Sequence, residues 1–165
     1  EQRDRREVYS HYYARRLPAE VLLDAIAQAT GVPEKFDGYP EGVRAIQVPD
    51  PGVNSYFLRL FGRSDRVTAC ACERMGDVTM PQLLHLQNGD RTAEKLASGL
   101  TKRLAEEKDD DKLMAGLFLS TLSRPPTGDE RTAVKKLLAE GDPRHEVYRD
   151  LLWALLNSKA FAFNH

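Results

Sequence analysis

Apolar residues recur at helical spacing towards both ends of the chain and lose that spacing in the middle. Between Pro18 and Thr30 the residues Val21, Leu22, Ala25, Ile26 and Ala29 share one helical face. Pro18 suits the first turn, and Gly31 with Pro33 closes the segment. Ahead of it, Arg6 to Arg15 carries Val8, Tyr9, Tyr12 and Tyr13 at compatible spacing and predicts a helix leading in. From Val32 to Asn54 the pattern breaks, because Pro33, Pro40, Pro49 and Pro51 alternate with Gly38, Gly42 and Gly52. Within this stretch Val43 to Val48 has the makings of one short strand, and Ser55 to Phe61 of one or two helical turns ended by Gly62.

Helical spacing returns in the second half. Pro81 to Asn88 is closed by Gly89, and Ala93 to Leu104 and then Lys112 to Leu122 each carry one apolar stripe, the last through Leu113, Leu117, Phe118 and Leu122. Thr127 and Glu130 form a capping-box signature ahead of Ala133, Val134, Leu137 and Leu138, and Gly141 ends that helix. Asp142 and Pro143 start the final one, whose buried face is expected from Tyr148, Leu151, Leu152, Leu155 and Leu156 beside Trp153. The fold class that follows is mainly α: a helical bundle with a long irregular Pro/Gly-rich central segment and at most one or two short strands. The chain reads as a single helical domain over residues 1–165, with N-terminal helices in 1–31, an irregular loop region in 32–78 and C-terminal helices in 79–165. Long irregular segments in compact domains are often functional, so the central stretch is where a site is expected first.

Composition narrows the classes. At 165 residues the chain is long enough to bury a real core. With 24 Lys and Arg against 25 Asp and Glu, interleaved along the chain, it lacks the dominant basic face that a nucleic-acid binder uses against phosphate. No apolar run approaches the roughly 20 residues that span a bilayer, so membrane insertion is not expected of this segment. The densely charged Glu1 to Glu7 has no secretory signal pattern. A sequence that lacks an initiating Met and opens inside a helical pattern is expected to be a fragment of a larger protein.

The candidate chemistry is sparse. Cys70 and Cys72 lie two apart, and on an extended backbone both sulfurs project to one face. As zinc ligands they supply two of four, with His11, His85, His145 and His165 at no recognisable spacing for the rest. As a disulfide they need a local kink, since extended i, i+2 positions lie near the far edge of the allowed Cα separation. As two small, partly buried thiols they need nothing further. Glu73, Arg74, His85, Arg44 and Asp50 complete the candidate set around the irregular region. His85, between Leu84 and Leu86, reads first as a packing residue. Asp109-Asp110-Asp111 lacks the glycine turn and downstream Glu of a calcium loop and reads as a solvated helix start that the helix dipole favours. Arg16 and Glu20, at i, i+4 spacing, are expected to pair. No phosphate loop, dinucleotide fingerprint, nucleophile elbow or His-Glu-x-x-His motif occurs. The attachment motif for covalent haem is missing too.

Six ordered strings carry a family resemblance: Arg15-Arg16-Leu17-Pro18-Ala19-Glu20, Arg44-Ala45-Ile46-Gln47-Val48-Pro49-Asp50, Cys70-Ala71-Cys72-Glu73-Arg74, Leu84-His85-Leu86-Gln87-Asn88-Gly89, Leu122-Ser123-Arg124-Pro125-Pro126-Thr127, and Leu152-Trp153-Ala154-Leu155-Leu156-Asn157-Ser158-Lys159 leading to Asn164-His165. Together they resemble the C-terminal domain of unknown function of large planctomycete multidomain proteins that often also carry a cytochrome-c-type domain. The resemblance implies an exported protein of the periplasm or cell envelope, partnered by other domains of its parent. It implies no cofactor in this domain, with haem, where present, held by another domain, and it assigns no catalytic residue. The family's usual Cys-Glu-Cys-Glu-Arg stands here as Cys70-Ala71-Cys72-Glu73-Arg74. An oxidising compartment adds weight to the disulfide. The Arg-Pro-Pro-Thr turn between helices is similar to that of helical assembly modules in bacterial surface proteins, a likeness of fold alone.

Three functions follow as expectations. The first is a non-catalytic helical structural or interaction module. The second is a redox or ligand-handling part of an envelope enzyme centred on Cys70 and Cys72. The third is carbohydrate binding through Phe36, Tyr39, Tyr56 and Phe57, aromatics that equally suit anchors beneath a loop.

Overall fold

The computed structural model describes residues 15–49, 52–63 and 90–164. Among them the protein is mainly α-helical: α1 (Ala19–Thr30), α2 (Tyr56–Leu60), α3 (Asp90–Glu106), α4 (Asp110–Leu122), α5 (Gly128–Glu140), α6 (Arg144–Leu156) and α7 (Lys159–Ala162). Two-residue strands β1 (Arg15–Arg16) and β2 (Phe163–Asn164) pair antiparallel, Arg15 opposite Asn164 and Arg16 opposite Phe163.

Local chemistry sets the helix boundaries. Gly31 ends α1 at φ 74°, left-handed backbone that only glycine adopts without strain, and its N–H returns to Ala27 O. Asp109 caps α4 by accepting from the N–H groups of Asp111 and Lys112, with two further acids in the first turn. The capping box at α5 forms as the sequence predicts: Thr127 Oγ1 accepts from Glu130 N at 3.3 Å, and Glu130 Oε2 accepts from Thr127 N at 2.7 Å. The helical turns between Ser55 and Phe61 form as α2, with Ser55 as N-cap.

One apolar core joins these helices. Leu22, Ile26 and Ala29 of α1, Leu100 of α3, Leu117 and Phe118 of α4, and Tyr148 and Leu152 of α6 are buried in it. Helix α6 packs against α3, α4 and α5, while α1 packs against α3, α4, α2 and the central segment. Each fully buried Leu contributes about 1.5–3 kcal/mol over an exposed one, so the α1/α3/α4/α6 junction dominates the stabilisation.

Four sequence expectations change. Val43 to Val48 is not a strand: Ala45–Gln47 forms a single 3-10 turn, because the Asp24 carboxylate of α1 binds the N–H groups of Ala45 and Ile46 where a strand would need a ladder partner. Arg15 belongs to β1 instead of ending a helix, and the rest of that expected helix lies outside the described residues. Helix α5 buries only Val134, leaving Leu137 exposed and Leu138 half-buried, because α5 packs chiefly on α6 at the edge of the bundle. Trp153 is likewise exposed, since it points away from the face carrying Leu152 and Leu156. The helix expected over Pro81 to Asn88 lies outside the described residues.

Candidate functional site

The central segment is fastened to α1 by side chains that reach main-chain groups. Asp24, on the α1 face next to the loop, accepts from Ala45 N at 2.6 Å and Ile46 N at 3.2 Å. This carboxylate therefore caps the 3-10 turn from twenty-one residues upstream. Arg44 stands over the same carboxylate with its Nε 3.5 Å from Oδ2 and its guanidinium in solvent, so it supports the cap. Gln47 Oε1 closes the turn on Arg44 N at 3.0 Å. The segment's apolar side chains point inward: Phe36, Val48 and Phe57 are buried and Tyr39 is packed on the core. Phe36 and Phe57 accordingly present no free ring face to a sugar. Tyr56 alone of the four aromatics is exposed.

Three arginines meet main-chain carbonyls at or just beyond helix C-terminal ends, where carbonyls lack intrahelical donors and the dipole favours cations. Arg103 Nη2 donates to Ala29 O in the last turn of α1 at 2.7 Å, and its Nη1 donates to Ser120 Oγ of α4 at 3.1 Å. Burial lowers the Arg103 pKa, and nearby Glu106 partly offsets this. Arg144 Nη2 donates to Glu107 O beyond α3 at 3.0 Å, while its Nε donates to Asp110 Oδ1 at 2.7 Å. Tyr148 OH donates to the same carboxylate at 3.1 Å, and burial, then Asp110, raises its pKa well above the ordinary phenol range. Arg16 Nη2 donates to Phe61 O at the end of α2 at 2.9 Å, with its guanidinium 5.1 Å from the Phe61 ring centroid. Phe61 itself stacks on Phe57 at 4.2 Å. The expected Arg16–Glu20 pair gives way to this arrangement, because Arg16 turns towards Phe61 while Glu20 faces Arg63 Nε at 3.7 Å.

An open cleft of about 1020 Å³ runs between residues 32–37 and α3. At its wall Lys95 Nζ is held by Glu34 Oε2 at 2.7 Å and Val32 O at 3.4 Å. A smaller hollow of about 360 Å³ lies beside Asp24, Gly42 and Arg44. Among the described residues no three His, Cys, Asp or Glu side chains gather as a metal group.

The family model for PSD1, a protein of unknown function (DUF1553), matches residues 1–138. The chain belongs to this family. No curated protein and no solved structure matches it. The PSD1 match ends within α5, yet Tyr148, Leu152 and Leu156 of α6 lie beyond it in the core. Of the predicted PSD1 site residues, Arg44 is placed, on the Asp24 cap; Cys70, Cys72, Glu73, Arg74, His85 and Asp50 lie outside the described residues. Arg63 and Arg103 leave no periodic signal in the sequence, and Arg16 reads there only as a partner for Glu20. Arg63 directly after the predicted Gly62 stop was the one cue available.

Proposed function

We propose that this domain is a non-catalytic helical module that packs against, or positions, other domains of an exported multidomain protein of the cell envelope. On this reading its parent is of the planctomycete kind that often carries a cytochrome-c-type domain, and any haem belongs to that other domain. The observation that carries the reading is the treatment of the central segment. Asp24 and Arg63 bind its main chain, and the turn they fix holds Ile46 outward with 56% of its surface exposed. A large apolar side chain on a pre-ordered turn is suited to contact, because docking then spends little conformational entropy.

The test is a pull-down of this domain with the remaining domains of its parent protein at physiological salt. Association that is weakened at least roughly tenfold by Ile46→Asp, while the double substitution Cys70→Ser with Cys72→Ser leaves it intact, supports the module. Failure of the wild-type domain to associate sinks it.

A further inference from the structure

We propose that the corner where the start of α1 meets the end of α2 is an oxyanion site, in which Arg16 and Arg63 grip one small, singly charged anion of the carboxylate class. The inference stands apart from the interaction role above, because it rests on donors inside the fold.

Arg16 enters from β1 and Arg63 leaves from the turn after α2. Arg63 Nη2 donates to Val48 O at 2.7 Å, its Nε lies 3.7 Å from Glu20 Oε1, and its side chain is only 7% exposed. Arg16 Nη2 donates to Phe61 O. Three buried nitrogens are then without a hydrogen-bond partner among the described residues: Arg16 Nε, Arg16 Nη1 and Arg63 Nη1. No other described side chain has such an atom.

Buried donors are almost always partnered, and a buried cationic donor left alone is among the costlier defects a fold can carry. Arg103 and Arg144 show how this protein ordinarily treats a half-buried guanidinium: each binds a carbonyl with one arm and a side-chain oxygen with another. Arg16 has the carbonyl and lacks the second oxygen. Among the described residues Arg63 faces the Glu20 carboxylate, while Arg16 meets a neutral carbonyl and no carboxylate. The Phe61 bond takes one of the two N–H groups on Arg16 Nη2, so one edge of that guanidinium keeps its two parallel N–H groups for a planar, two-oxygen group and the other keeps one. Desolvation by burial lowers the Arg16 pKa.

The experiment uses the 165-residue chain, with acetate as the probe and chloride at matched ionic strength as the reference. Two readouts run together: thermal unfolding, and the arginine Nε–H signals in a nitrogen–proton correlation spectrum. Acetate is expected to raise Tm by roughly 3–6 °C at about ten times its Kd, climbing logarithmically beyond that, and to move the Arg16 and Arg63 Nε–H signals along saturating curves that give the same Kd. The double variant Arg16→Met with Arg63→Met should lose the acetate response, and in chloride it should unfold below the wild-type temperature because Val48 O, Phe61 O and Glu20 lose their donors. Should it fail to fold, Arg63→Lys keeps the charge without the planar fork, and its acetate midpoint should rise at least roughly tenfold. An equal Tm response in wild type and variants overturns the site, as do Nε–H signals that stay still while Tm climbs. Tight saturation by sulfate with none by acetate overturns the carboxylate assignment.

Discussion

Replacing Gly99 with Ala should destabilise the protein, although the same change in an ordinary helix interior stabilises. Gly99 lies inside α3 where the end of α1 crosses it, and a Cβ there would sit 2.0 Å from Thr30 O, 3.0 Å from Thr30 C and 3.3 Å from Val32 Cγ2. The first of these atoms is main chain, so no rotamer change relieves it. Ordinary contact begins near 3.4 Å, so the last residue of α1 must retreat by about 1.4 Å. Thr30 is buried and ties its hydroxyl to Ile26 O at 2.8 Å, and the neighbouring Ala29 O receives Arg103. The retreat therefore pulls on the bond that also reaches α4 through Ser120. Overpacking of this kind costs about 1–3 kcal/mol and a strained hydrogen bond about 1 more, against a gain of about 1 from helix propensity. The net loss is about 2 kcal/mol, a fall in Tm of roughly 4–8 °C for a chain of this size. Gly116, inside α4 with nothing within 4 Å of its added methyl, supplies the matched control, and Gly116→Ala should stabilise by about 0.5–1 kcal/mol. Urea unfolding followed by circular dichroism measures both, with the slope expected to stay constant. A Gly99→Ala protein as stable as wild type would refute the close crossing of α1 and α3.

Asp24→Ala removes the acceptor for two main-chain N–H groups and should cost about 1–3 kcal/mol, with faster hydrogen exchange at Ala45 and Ile46; unchanged exchange there would rule out the cap. Tyr148→Phe should cost about 1 kcal/mol, as its hydroxyl donates to Asp110. The folded Tyr148 pKa lies above its unfolded value, so its contribution is complete below pH about 10 and declines above it. In an alkaline titration its phenolate absorbance should therefore appear together with unfolding, not ahead of it. Glu130 is held at about 2 by the Arg124 guanidinium first and then by the Thr127 donors, so its contribution is full above pH about 4.5 and fades as pH falls towards 2. The pair is solvated, which limits the effect to about 1 kcal/mol or less; Glu130→Gln should flatten that acid limb in urea titrations, and an unaltered limb would deny the pairing.

What the sequence made legible is what local chemistry decides. Gly31 and Gly141 end α1 and α5 where the pattern places the stops, and Thr127 with Glu130 starts α5 as the capping box requires. The apolar stripes of α1 and α4 reach the core except at Val21, with Leu23 and Met114 joining them, because three-residue and four-residue spacings need no knowledge of the partner helix. The stripe of α5 was over-read, since spacing reports a face without saying how far a neighbour covers it. Elements that depend on distant partners escaped. The β1–β2 pair joins residues at opposite ends of the described chain through two residues each, too few to show alternation. The 3-10 turn at Ala45 depends on a carboxylate in α1, and nothing within Val43 to Val48 announces it.

The arginines mark the division between these two kinds of information. Arg16, Arg103 and Arg144 each carry a donor to a carbonyl at or just past the end of a different helix, 45, 74 and 37 residues away in the chain. A lysine, with a point charge and no fixed fork, could neutralise such an end but could not hold it in register with a second acceptor. Two of the three have that second acceptor inside the protein, Ser120 for Arg103 and Asp110 for Arg144, and these two fix how α1, α3 and α4 sit together. Arg16 caps α2 by the same geometry yet keeps two buried donors open among the described residues, as Arg63 keeps one. A fold that completes the pattern twice and leaves it unfinished once places the unfinished copy apart from the structural pair, which is why the α1–α2 corner, more than the open cleft along α3, is where a bound group belongs.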